Sequence, residues 1–108
     1  MVFEMGFGNM QKMMKQAQKM QKEMAKVQES LVDLTVEASA GGGVVKVVAN
    51  CQQELLEIHI DPAAADPDDP TLLEDLVLTA VNEALNNARD RAAQEMEKVT
   101  GGLKIPGL

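Results

Sequence analysis

In Leu34-Thr35-Val36-Glu37-Ala38-Ser39-Ala40-Gly41-Gly42-Gly43-Val44-Val45-Lys46-Val47-Val48-Ala49-Asn50, apolar and polar residues first alternate. Three glycines follow, and a valine-rich run closes the stretch. A period of two residues belongs to a strand with one buried face, and β-branched valine suits a pleated surface. The glycines read as a turn between two strands. They lack the Gly-Lys-Ser/Thr ending of a phosphate-binding loop and do not lead into a helix. Cys51-Gln52-Gln53 is a short link, after which Leu56, Ile58 and Ile60 alternate with Leu55, Glu57, His59 and Asp61. Three short strands joined by short links predict an antiparallel meander.

Helices are expected on both sides of this meander. On the N-terminal side Met10, Met13, Ala17, Met20, Met24, Val27, Leu31 and Leu34 follow one another at spacings of three and four. That is a heptad seam, and the Gln, Lys and Glu between its members favour helix. Asn9 is the expected N-cap, and a helix from Asn9 to Ser30 would be about 33 Å long at 1.5 Å per residue. Residues 1–8, which contain two glycines, read as a flexible lead-in. The seam is narrow and the rest of the helix polar, so it calls for a matching stripe on another helix.

On the C-terminal side Asp61 to Pro70 holds three prolines and four aspartates, which marks a loop. Pro70 suits a first helical turn, and Thr71 and Glu74 have capping-box spacing. Leu73, Leu76, Val77, Ala80, Ala84 and Ala88 then form a stripe of helical period. Gly101-Gly102 is a stop signal, and residues 101–108 read as a flexible tail. The whole chain, residues 1–108, is expected to be one α+β domain. Its order is α-β-β-β-α, with a long N-terminal helix and a three-stranded antiparallel sheet. The second helix is the expected cover of the sheet. The spare seam and the open sheet edges predict self-association.

Charge is distributed unevenly. The net charge is −7, which by itself opposes nucleic acid. Yet Lys12, Lys15, Lys19, Lys22 and Lys26 lie in one segment with only Glu23 among them, whereas Glu54 to Asp75 holds eight acids and neither lysine nor arginine. The five lysines also advance by three and four and fall away from the methionine seam. A basic ridge on a rod can follow phosphates, with lysine giving position rather than base readout. Phe3 and Phe7 are the only aromatic residues, which disfavours base stacking and RNA readout through aromatic platforms.

Catalytic and metal chemistry find no candidates. Cys51 is the only cysteine and His59 the only histidine, with no further nitrogen or sulfur ligand for zinc. Asp66, Asp68 and Asp69 lack the spacing of a calcium loop and read as a solvated acidic segment. The expectation is a protein that is not an enzyme, needs no cofactor or metal, and has neither a membrane nor a small-molecule partner. A single cysteine fits a reducing compartment, and Met1 to Met10 lacks the apolar core of a secretory leader, so a cytoplasmic protein is expected.

Several stretches resemble one known family. Val36-Glu37-Ala38-Ser39-Ala40-Gly41-Gly42-Gly43-Val44-Val45-Lys46-Val47 resembles the first hairpin of the YbaB/EbfC family. Glu57-Ile58-His59-Ile60-Asp61-Pro62 resembles its third strand and exit, and Leu72 to Ala84 the start of its last helix. The Met/Gln/Lys helix and the Gly101-Gly102-Leu103-Lys104-Ile105-Pro106-Gly107 tail fit as well. The resemblance implies a tweezer-like homodimer that binds duplex DNA with low or variable sequence preference, located in the nucleoid. It also implies roles in nucleoid organisation and gene regulation. On this reading Lys12, Lys15, Lys19, Lys22 and Lys26 contact DNA, and Met10, Met13, Ala17, Met20, Met24 and Val27 form the dimer or helix seam. Asn50-Cys51-Gln52 departs from the family's usual Asn-Gly turn, so a wider second hairpin is expected. The competing reading is a protein-interaction scaffold that uses the methionine seam without touching DNA.

Overall fold

A computed structural model describes residues 2–101, with side chains from Gly8 onward. The elements run α1 (Val2–Ser30), β1 (Thr35–Ala40), β2 (Val45–Asn50), β3 (Leu55–Ile60) and α2 (Pro70–Thr100). The strands form one antiparallel sheet in the order β1-β2-β3. The α-β-β-β-α order and the meander are those read from the sequence. The expected tail beyond Gly101 lies outside the described residues.

The first helix begins earlier than expected, and the second begins at Pro70 as expected but with a different cap. The first already starts at Val2, so helix takes in the expected lead-in, and Asn9 lies inside it rather than at its cap. Gly6 and Gly8 each disfavour helix by about 1 kcal/mol relative to alanine, which is why the sequence suggested a later start. In α2 the cap is Asp69, whose carboxylate accepts from the Leu72 N–H at 3.2 Å, with Pro70 in the first turn. The Thr71–Glu74 capping box does not form, because Thr71 is itself a helical residue.

The two hairpins turn by different means. Gly41, Gly42 and Gly43 all have positive φ (64°, 73° and 98°), the left-handed region that only glycine enters without strain. The second hairpin links β2 to β3 through residues 51–54, wider than a two-residue Asn-Gly turn, as expected. Asn50 is buried, its side-chain amide donates to Glu54 Oε1 at 3.0 Å, and its Oδ1 accepts from the N–H groups of Gln52 (3.0 Å) and Glu54 (3.1 Å). One side chain thereby replaces the conformational freedom of the absent glycine, while Gln53 takes the positive φ of 62°.

The core lies between the sheet and α2. Val45, Val47 and Ala49 of β2 and Ala38 and Ala40 of β1 meet Ala80, Ala84 and Ala88 of α2. The alanine stripe lets the helix approach the sheet closely. The cover is incomplete, however: α2 packs on β1 and β2 and leaves β3 open. A bulge between Val48 and Ala49 also re-aims β3, since Ala49 stands opposite Leu55 and Leu56 is the extra residue. Leu55 therefore shares the inner face with Ile58 and Ile60, where simple alternation had set it on the other side.

The α1 helix packs against α2 rather than the sheet. Half-buried Met20, Met24 and Val27 on α1, and Ala92, Met96 and Val99 on α2, mark where the helices meet. The longest extent is 81 Å and the radius of gyration 21.7 Å, against about 13 Å for a compact domain of this length. Among the described residues no helix is long and apolar enough to cross a membrane.

Candidate nucleic-acid interface

The α1 helix carries the sequence-predicted lysines on its free side. At 3.6 residues per turn Lys12, Lys15, Lys19, Lys22 and Lys26 share one face, centred about 150° around the helix from the Met10–Val27 seam. Because the lower seam meets α2, the ridge is turned away from it. All five lysines are exposed. Among the described residues the ion pairs are Arg91–Glu95 (3.0 Å) and Lys98–Glu95 (3.0 Å), His59 Nε2 lies 3.5 Å from a Glu57 carboxylate oxygen, and none of these engages a lysine of α1. The ridge spans about 21 Å from Lys12 to Lys26 at 1.5 Å per residue, a length over which several phosphates are within reach.

The methionine seam divides in two. Met20, Met24 and Val27 are half-buried, while Met10, Met13 and Ala17 are exposed. The free half of the arm thus has an apolar side and a cationic side, both open to solvent.

The arm is fixed to the sheet at one end. The Cys51 N–H donates to Leu31 O (3.0 Å) and Leu34 O (2.9 Å), and the Gln52 side-chain amide donates to Gln28 O (3.2 Å). These bonds place the start of the arm beside the β2–β3 turn. The β1–β2 turn and the start of α2 lie at the other end, where Gly41 abuts Leu76. The acidic segment from Asp61 to Asp75 leads into that end. The positive arm and the acidic segment therefore occupy opposite ends of the protomer.

The acidic residues near α2 have structural roles. Asp61 Oδ1 accepts from the Ala63 N–H at 2.9 Å, Asp66 Oδ1 from the Asp68 N–H at 2.8 Å, and Asp69 caps α2. Cys51 is buried, and that burial raises its thiol pKa above the ordinary value, with Arg91 opposing the shift. His59 lies exposed beside Glu57, opposite Lys46 on the outer sheet face. Hydrogen bonds from Lys98 and Arg91 hold the Glu95 carboxyl below the usual carboxylate range.

One surface escaped the sequence reading. Leu55, Ile58 and Ile60 are 42%, 46% and 41% exposed although they share the inner face of the sheet with the core. The flank of α2 carrying Leu73, Val77, Leu78 and Val81 adds a shallow apolar groove. The available signal was a count of faces: one helix whose inner stripe is mostly alanine is too narrow to cover three strands.

The comparisons agree with this architecture. A model of the YbaB/EbfC DNA-binding family matches residues 5–103. A nucleoid-associated protein of Moorella thermoacetica is 60% identical over 96% of this chain and 100% of its own length. Another from Desulforamulus reducens is 61% identical over 94% of this chain and 96% of its own. The crystal structure of an uncharacterised Helicobacter pylori protein superposes with a TM-score of 0.61 at 23% identity, covering 72% of this chain and 90% of that one, which shows a shared fold. With a match that spans both helices and all three strands, the chain belongs to the YbaB/EbfC DNA-binding family.

Proposed function

We propose that this chain is a nucleoid-associated protein of the bacterial cytoplasm that binds duplex DNA as a homodimer. In this reading the α1 arms grip the duplex with low or variable sequence preference, and binding contributes to nucleoid organisation and gene regulation. The observation that carries it is the lysine ridge of α1, exposed, unpaired and turned away from α2. Self-association is supported by the bare inner face of β3 and the apolar flank of α2, a surface that a second copy would cover.

Phosphate contacts release counterions, so affinity must fall with salt. A dimer neutralising 6–10 phosphates loses roughly 10³–10⁵-fold in affinity between 50 and 200 mM salt. Mobility shifts on several duplexes at two salt concentrations test this, and a flat response would overturn it. Replacing Lys15, Lys19 and Lys22 by Glu removes binding while circular dichroism reports an unchanged fold. Retained affinity in that variant would overturn the assignment of the ridge.

The exposed Met10 and Met13 favour a second reading, a scaffold that binds a partner helix along the seam. A stoichiometric protein partner captured from nuclease-treated lysate, together with no affinity for DNA, would support it instead.

A further inference from the structure

The lysine ridge has two unlike borders. On one side lie Gln16 and Glu23. On the other lie Gln11 and Gln18, with Met14 beyond them. Gln11, Met14, Lys15 and Gln18 together line a shallow groove on the arm, and all four are exposed. Met14 stands off the heptad seam, so packing on α2 does not account for it. Gln11, Lys15, Gln18 and Lys22 follow at i, i+4, i+7 and i+11, which makes one stripe along a straight helix. Glu29 continues that line only about 16 Å beyond Gln18, near the sheet.

We infer that Gln11 and Gln18 read adenine in the major groove, with Met14 against a thymine methyl, so that the arm discriminates A·T from G·C pairs. This rests on the DNA-binding reading and adds specificity to it. A lysine ridge alone carries no sequence information. Glutamine has a donor and an acceptor on one amide and pairs in bidentate fashion with adenine N6 and N7, while an apolar side chain suits the thymine methyl. The seven-residue step from Gln11 to Gln18 is about 10.5 Å, close to three base-pair steps of about 3.4 Å. A single helix fits the major groove. Glu23 on the far border repels phosphate, so the glutamine border is the one that turns inward. Lys15 and Lys22 then reach the phosphate wall.

The test measures binding to three labelled duplexes of equal length by fluorescence anisotropy. One is rich in A·T, one is rich in G·C, and one is the A·T duplex with 7-deazaadenine in place of adenine, which lacks the N7 acceptor. The full chain is expected to favour the A·T duplex by about tenfold or more, the lower range for one good bidentate contact. The 7-deaza duplex is expected to lose that preference. The variant Gln11→Ala/Gln18→Ala is expected to lose it too, with the salt slope retained because no charge has been removed. Alanine favours helix at both exposed positions, so the arm remains intact. Equal affinity for the A·T and G·C duplexes with a steep salt dependence would overturn this inference alone. A preference left undiminished by 7-deazaadenine or by the double substitution would also overturn it. Failure to bind any duplex would overturn it together with the proposed function.

Discussion

At the residue scale, the turns show side chains and backbone solving the same problem in two ways. Gly41 is the most constrained position of the first hairpin. Its φ is +64°, and a Cβ there would lie 2.7 Å from Val44 Cγ2 and 3.0 Å from Leu76 Cδ2. Gly41→Ala is therefore expected to destabilise the protein by about 2 kcal/mol, combining left-handed strain with the clash. Gly42→Asn, where a Cβ meets nothing within 4 Å, should cost much less. Equal urea midpoints for the two variants would contradict this. The triple glycine revealed a turn in the sequence but did not show which glycine presses on α2, because Leu76 is distant in the chain. Asn50 was legible only as a departure from an Asn-Gly pair. Its triple hydrogen-bonding role depends on Glu54 folding back over the turn.

At the element scale, periodicity identified every element but not every partner. The heptad spacing marked α1, and the alternation marked β1 and β3. The bulge at Leu56 and the offset of α2 toward β1 were not legible, since both follow from packing between segments far apart in sequence. The lysine ridge was legible because a helix converts spacing directly into a face. Where α1 meets α2, Glu95 accepts from Arg91 and Lys98, which lowers its pKa in the folded state. A carboxyl with a depressed folded pKa contributes stability above its ordinary range and loses it as pH falls through the folded value. Glu95→Gln is accordingly expected to be less stable than the parent at neutral pH, with the difference shrinking in acid. Urea melts of both proteins across that range check the sign. A gap that stays constant with pH would show that the ion pairs contribute nothing. The β3 face makes a separate prediction. Ile58→Glu puts a charge at the centre of the bare apolar patch, and if the parent gives the proposed dimer, light scattering should report protomer mass for this variant. A dimeric Ile58→Glu protein would place the interface elsewhere.

At the scale of the whole molecule, shape and core bear on the homodimer proposed above. A chain of this length with a radius of gyration of 21.7 Å buries little surface by itself. Its core is made mostly of alanine and valine, while Leu55, Ile58, Ile60, Leu72 and Leu78 remain exposed. These five larger apolar side chains lie outside the protomer core, and burying them against a second copy would supply stabilisation that the alanines do not. If folding and association are coupled, thermal stability must depend on concentration. Each tenfold rise then adds about 1.4 kcal/mol per dimer, which for a unit of this size raises the melting temperature by about 3 to 5 °C. Circular-dichroism melts over a hundredfold range of dilution check this. The same dependence also follows the charge layout. The proposed association through β3 would involve the sheet and leave the α1 ridge free, so the slope should persist in the Lys15, Lys19, Lys22→Glu protein even where its DNA binding is lost. A melting temperature that ignores dilution, with protomer mass by light scattering, would mean that the exposed leucines and isoleucines are stable in water without a partner copy.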